Sequence, residues 1–153
     1  MVLNKYDEVE KEAIECRLFS IKPHFVDLIL KGKKKVELRK GFCNGKRGDK
    51  CFIYVTSPIK QIIGYFTIAY CINDTTANIW KRVNGIAGVN KQGFFEYYAN
   101  NKEASAIFFD KLIFFKQPLD WEKLNERFKL MPPQSYYQIR GDLADYLERQ
   151  RCI

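Results

Sequence analysis

From Lys50 to Phe115 the chain passes from one strand-like segment to the next with no helix long enough to serve as a regular parallel crossover. That limits the folds open to it. Cys51-Phe52-Ile53-Tyr54-Val55 is rich in β-branched and aromatic side chains and stops at Ser57-Pro58. Gln61 to Ile72 is a longer run with Gly64 as a candidate bulge, and Ala104 to Phe115 returns to strand. Arg17 to Ile21 upstream and Tyr136 to Ile139 downstream add two more strands. Short helices fill the gaps: Thr75-Thr76 caps one that runs through Trp80 and Arg82, and Asn90 caps one carrying Phe94, Phe95, Tyr97 and Tyr98. Pro118-Leu119-Asp120 opens a third with Asp120 as its cap, and Asp142 to Arg151 is a weakly amphipathic terminal helix. This pattern predicts an α+β fold, a mixed barrel of about five to six strands with short helices over its openings.

Before these strands, Lys22-Pro23 sets a helix start with proline in the first turn, where its missing N–H is harmless. The helix runs from His24 to Lys31, and Gly32 is placed to end it in the left-handed conformation. Lys35 to Lys40 then alternates as a strand does. Val36 and Leu38 face one way and Lys35, Glu37 and Arg39 the other, about 6.6 Å apart on a face.

Charge is concentrated in the same region. Lys31 to Lys50 holds nine basic and two acidic residues, a local balance of +7, whereas the other 17 basic and 16 acidic residues sum to +1. Such a cluster points to a localised anionic partner. The twelve Phe and nine Tyr belong mainly to a core, and the aromatic pairs Phe94-Phe95 and Tyr97-Tyr98 are read as barrel packing. Five cysteines at wide spacing with no C-x-x-C pair are read as reduced thiols, and a single histidine, His24, excludes a multi-histidine metal site. No cofactor or metal is expected. The opening residues contain no apolar h-region and no later run reaches the length of a membrane span, so a cytoplasmic protein without a membrane partner is expected. Residues 1 to 13 read as a polar lead-in and 14 to 153 as one domain, without internal repeats.

The pattern G-x-K-x-x-E-x-R, here Gly32, Lys34, Glu37 and Arg39, follows Leu18-Phe19-Ser20-Ile21-Lys22-Pro23 and a short helix. Together with Gly48-Asp49, Tyr54 through Pro58, Ile63-Gly64, the aromatic helix at Phe94 to Tyr98 and Pro132-Pro133-Gln134-Ser135, it resembles the ASCH domain of the PUA-like superfamily. The resemblance covers roughly residues 17 to 139. It implies a PUA-like barrel with a cleft where the charged residues of the motif gather, and RNA or a nucleotide as partner. Some relatives are RNA-binding, some sit in transcriptional coactivators as interaction modules, and others are a ribonuclease type and a type that deacetylates acetylcytidine. The last uses a lysine, a threonine and a glutamate. Lys34 matches the lysine, Glu37 stands at the threonine position, and Glu96 aligns only loosely with the glutamate.

If the chain is an enzyme, Lys34 and Glu37 are its catalytic candidates. Lys34 can hold a phosphate as a point charge or, desolvated, act as a base or nucleophile. Glu37, one acid between Lys35 and Arg39, can accept hydrogen bonds from a base or serve as general base. The nucleic-acid-binding set further comprises Ser20 and Lys22 at the strand-to-helix junction, Lys33, Lys35, Arg39, Lys46 and Arg47 in the basic segment, and Tyr54, Ser57, Gln134 and Ser135. His24 is read as a partly exposed helix residue.

Overall fold

A computed structural model describes residues 13–153, so the lead-in assigned to residues 1 to 13 lies outside the described residues except for Ala13. The elements are, in order, β1 (Cys16–Ile21), α1 (Pro23–Leu30), β2 (Val36–Arg39), β3 (Lys50–Val55), β4 (Gln61–Thr75), α2 (Thr76–Val83), α3 (Lys91–Tyr97), β5 (Glu103–Asp120), α4 (Trp121–Phe128), β6 (Tyr136–Ile139) and α5 (Gly141–Glu148). The strands form a six-stranded sheet in the order β2-β5-β4-β3-β1-β6, antiparallel except for the β1 and β3 pair.

The sheet curls into an open half-barrel, the α+β architecture that the strand pattern predicts. β2 and β1 occupy the first and fifth places in the order, roughly 19 Å apart if the sheet were flat. Yet Arg39 Nη2 at the end of β2 reaches the Ser20 carbonyl of β1 at 3.4 Å, and its guanidinium lies 5.0 Å from the centre of the Phe19 ring. Only strong curvature allows this. Register shifts along the two longest strands, β4 and β5, supply it, one of them at Gly64.

Both faces of the sheet are covered. Phe19, Ile21, Val26, Ile29, Ile53, Phe66 and Ile107 fill the interior beneath α1. Leu18, Phe52, Tyr54, Ile62, Trp121, Leu124 and Leu147 pack the opposite face under α4 and α5. Val36, Leu38, Ile79, Val83, Phe94 and Tyr98 close the end beside α2 and α3. Burial on both faces explains why the strands read as nearly continuous apolar runs.

Local signals set the element ends. Thr75 Oγ1 accepts from Asn78 N at 3.2 Å and Asn90 Oδ1 from Gly93 N at 2.8 Å, capping α2 and α3. Gly32 ends α1 with φ +73°. Its N–H donates to Ile29 O at 3.1 Å and that of Lys33 to Leu28 O at 2.9 Å, the two bonds of a Schellman turn. One expectation is refined. Pro118, Leu119 and Asp120 complete β5, where Leu119 and Asp120 pair with Ile62 and Gln61, and lead directly into α4 with Asp120 at its N-cap position. The Asp120 carboxylate, however, accepts from Gln61 Nε2 at 3.0 Å and makes no cap bond.

Gly64 is where side-chain bulk would be felt most. A Cβ there would stand 2.1 Å from the Ile113 carbonyl oxygen, at φ +152°. Gly64→Ala is therefore expected to lose about 2–6 kcal/mol, strain and overpacking together. A lower urea midpoint at unchanged m-value checks it; an unshifted midpoint would show that β5 can move aside.

Candidate functional site

The Schellman turn delivers the chain from α1 to the site. After Gly32, Lys34 N also bonds Leu28 O at 3.1 Å, which turns the Lys34 side chain inward while Lys33 and Lys35 stay exposed. The Lys34 stem lies against Gly88, where even a Cβ would come within 3.2 Å of it, and its ammonium donates to Ala87 O at 2.9 Å. The side chain is 4% exposed. One lysine of three is thus taken out of water.

Its partners come from β2. Lys34 Nζ lies 3.4 Å from Glu37 Oε1, and Arg39 Nη1 lies 3.0 Å from Glu37 Oε2, so one buried carboxylate holds two cations. Glu37 is 5% and Arg39 14% exposed as side chains. Arg39 is also fixed by its contacts to Ser20 O and Phe19, and its own carbonyl accepts from Tyr98 Oη at 2.9 Å. Burial holds the Lys34 ammonium below its ordinary value of 10.5; Glu37 partly offsets this, and the Arg39 charge adds to it. Phe25 stands 5.1 Å from Nζ and helps to keep that side dry.

The three charged groups line a cavity of about 360 Å³. Ser20 enters from β1, Lys22 from the junction with α1, Gln134 and Ser135 from the segment before β6, and Phe94 and Tyr97 from α3. The Ser20 hydroxyl donates to Pro133 O, and Ser20 N to Ser135 O at 3.0 Å, tying the far wall together.

Of the residues singled out by sequence, Ser20, Lys22, Lys34, Glu37, Arg39, Gln134 and Ser135 meet around this cavity. Lys33, Lys35, Lys46 and Arg47 are exposed and do not line it. Tyr54 belongs to the core, 4% exposed with its ring 4.6 Å from that of Trp121, because its side chain falls on the sheet face covered by α4. Ser57 lies in a separate groove with Lys60 and Trp121. His24 is exposed on α1 and does not line the cavity. Glu96 is exposed on α3, bonded to Gln92, and does not line the cavity.

Tyr97 and Phe25 are among the wall residues that the sequence reading leaves out. Tyr97 was assigned to packing with its neighbours, but only Phe94 and Tyr98 are buried; Tyr97 is 42% exposed at the cavity rim, with Lys40 Nζ 4.8 Å from its ring centre. The basic segment is also less uniform than its charge suggests: Lys31 pairs with Asp27, Lys50 with Glu148, and Asp49 is buried against Arg17 at 2.8 Å. Among the described residues no three His, Cys, Asp or Glu side chains gather as a metal-ion set, and no helix is long and apolar enough to cross a membrane.

A family model described as the ASCH domain matches residues 19–125. A protein named ASCH domain-containing ribonuclease from Zymomonas mobilis is 28% identical over 136 residues, which cover 86% of each chain. The crystal structure of ASCH from Zymomonas mobilis superposes with a TM-score of 0.77 at 26% identity, over 87% of this chain and 93% of that one. The N-terminal domain of Staphylothermus marinus McrB, 10% identical with a TM-score of 0.56, shares the fold over 89% of this chain and 94% of its own.

Proposed function

Because the chain belongs to the ASCH domain family, we propose that it acts on RNA, seating one nucleotide in the Lys34, Glu37 and Arg39 cavity and cleaving the adjoining phosphodiester. The observation that carries this reading is the desolvated Lys34 ammonium, held by a buried carboxylate that Arg39 also grips. A lysine kept below its ordinary pKa spends more time neutral near physiological pH and can take up a proton. Arg39 cannot lose its charge and suits the phosphate. Glu37 sets both cations in place.

The step follows from these roles. The ribose 2′-oxygen attacks phosphorus while its proton passes to the neutral Lys34 amine. The 5′-oxygen leaves with a proton from water, and the hydroxide left behind takes the proton back from the Lys34 ammonium, giving a 2′,3′-cyclic phosphate and a 5′-hydroxyl. The cavity volume of about 360 Å³ is at the low end of ligand pockets and suits one nucleotide. Tyr97 at the rim offers a ring on which a base can stack. The relative named as a ribonuclease supports RNA as the class of substrate.

The exposed Lys33, Lys35 and Arg47 supply the electrostatic approach. Affinity for single-stranded RNA is expected to fall with salt, each phosphate contacted adding about −0.7 to the log–log slope. Cleavage requires the attacking hydroxyl, so a 2′-deoxy residue at the cut site should bind and remain intact. A deoxy strand cut at the RNA rate would overturn the mechanism. Salt-dependent binding of RNA without any cleavage would reduce the function to an RNA-binding domain.

A further inference from the structure

Outside the cavity, the loop between β2 and β3 brings together two sulfurs that the proposed reaction does not use. Cys43 Sγ and Cys71 Sγ are 2.6 Å apart as free thiols in hydrogen-bond contact. Their placement is built on both sides. Cys43 N donates to Asn73 Oδ1 at 2.8 Å, and Asn73 Nδ2 donates back to Cys43 O at 2.8 Å, clamping the loop to β4 two residues beyond Cys71. Gly45 then crosses directly over the pair. Its N–H points at Cys43 Sγ at 3.4 Å, and a Cβ in its place would lie 3.2 Å from Cys71 Sγ and 2.5 Å from Ile68 Cδ1.

The other thiols are not so placed. Cys16 is pushed up to about 11 by burial and by the Glu148 carboxylate, and Cys51 is driven well above the ordinary range by burial. Cys43 is instead drawn down to about 7. The hydrogen bond from Cys71 is the main cause and outweighs burial, with help from the Gly45 N–H and the Arg17 charge. A thiolate beside a thiol within bonding reach is the arrangement that oxidants convert to a disulfide.

We propose that Cys43 and Cys71 form an oxidation site, closed to an intramolecular disulfide by hydrogen peroxide, which locks the basic loop onto β4. The Cys43 thiolate attacks one peroxide oxygen and the O–O bond breaks. Cys43 becomes a sulfenic acid, and the departing hydroxide takes up the proton released by the ionised thiol to become water. Cys71 sulfur then attacks Cys43 sulfur. The S–O bond breaks and the hydroxyl leaves as a second water with the Cys71 proton. Two thiols lose two electrons and peroxide is reduced to two waters.

Stoichiometric peroxide on the reduced full chain, followed by alkylation and intact-mass and peptide analysis, tests this. The expected result is a loss of two mass units, protection of two of the five thiols, a Cys43 to Cys71 cross-linked peptide and full reversal by dithiothreitol. Cys43→Ser and Cys71→Ser should each abolish the cross-link. Trypsin cleavage after Arg47 in the folded protein should slow several-fold on oxidation. Stable sulfinic acid at either residue, cross-links to Cys16, Cys51 or Cys152, or no change in mass would each overturn the proposal. A cross-link that forms without slowing cleavage at Arg47 would overturn the locking of the loop.

Discussion

Replacing Lys34 with methionine is expected to lower RNA turnover by about 10²-fold or more, the range lost with a proton-transfer group, while the protein remains folded. Methionine keeps an unbranched stem against Leu28 and Gly88 and cannot exchange a proton. The substitution leaves Ala87 O without its donor, a cost of about 1–3 kcal/mol, but it also removes a buried charge that already resists its environment. Glu37 keeps Arg39 but loses one of its two cations, so the loss of stability is expected to stay below that of a fully broken buried pair, about 3–5 kcal/mol. Glu37→Gln should abolish turnover too, but for another reason: it leaves Lys34 and Arg39 side by side without a carboxylate.

The pH profile separates the roles. If Lys34 accepts the proton, kcat/KM rises with pH along a limb lying below the ordinary lysine value of 10.5, because burial lowers the folded pKa. That limb should vanish in Lys34→Met. A variant with wild-type turnover, or a profile in which the limb persists without Lys34, would remove the residue from the chemistry.

A second large effect, this one on stability, is expected at Asp49. Its carboxylate is 1% exposed and accepts from Arg17 Nη1 at 2.8 Å, Lys46 N at 2.9 Å and Glu15 N at 3.1 Å, joining the start of the sheet to the basic loop. Asp49→Ala leaves a buried guanidinium short of its nearest anion. A loss of about 3–5 kcal/mol follows, or roughly 6–20 °C in Tm for a domain of this size. Differential scanning calorimetry checks it.

The same carboxylate gives a pH signature. Burial alone would raise its pKa; the Arg17 bond and the two N–H donors outweigh burial and hold it below the ordinary 3.8. A depressed folded pKa means that the stabilisation is complete above the unfolded value and is lost as pH falls through the lower folded one. The gap between wild type and Asp49→Asn should be constant at neutral pH and narrow on acidification below about pH 4. A gap that widened on acidification would mean that Asp49 is protonated in the folded protein.

Much of the fold was legible because its signals are local. Pro23 and Gly32 bound α1, Thr75 and Asn90 cap their helices, and the short apolar runs could only be strands between so many breakers. Pro118 precedes α4 as its local signal implies, but its place at the end of β5 depends on pairing with β4 and has no local signal. Tyr54 belongs by sequence to the nucleic-acid-binding set, but α4 covers its face of the sheet.

By itself, then, the sequence determined the G-x-K-x-x-E-x-R pattern, the turn that precedes its charged residues and the alternation that puts Glu37 and Arg39 on one side of β2. Tertiary structure decided which of three consecutive lysines is taken out of water, and which distant residues join it. Charge density cannot reveal this, since Lys33, Lys34 and Lys35 carry equal charge and differ only in what lies opposite them. Burial of Lys34 requires Ala87 and Gly88 beyond α2, and the cavity requires a sheet curled enough to bring Ser20 to Arg39. Both depend on contacts remote in sequence, and those contacts turn a basic segment into a site with one desolvated amine.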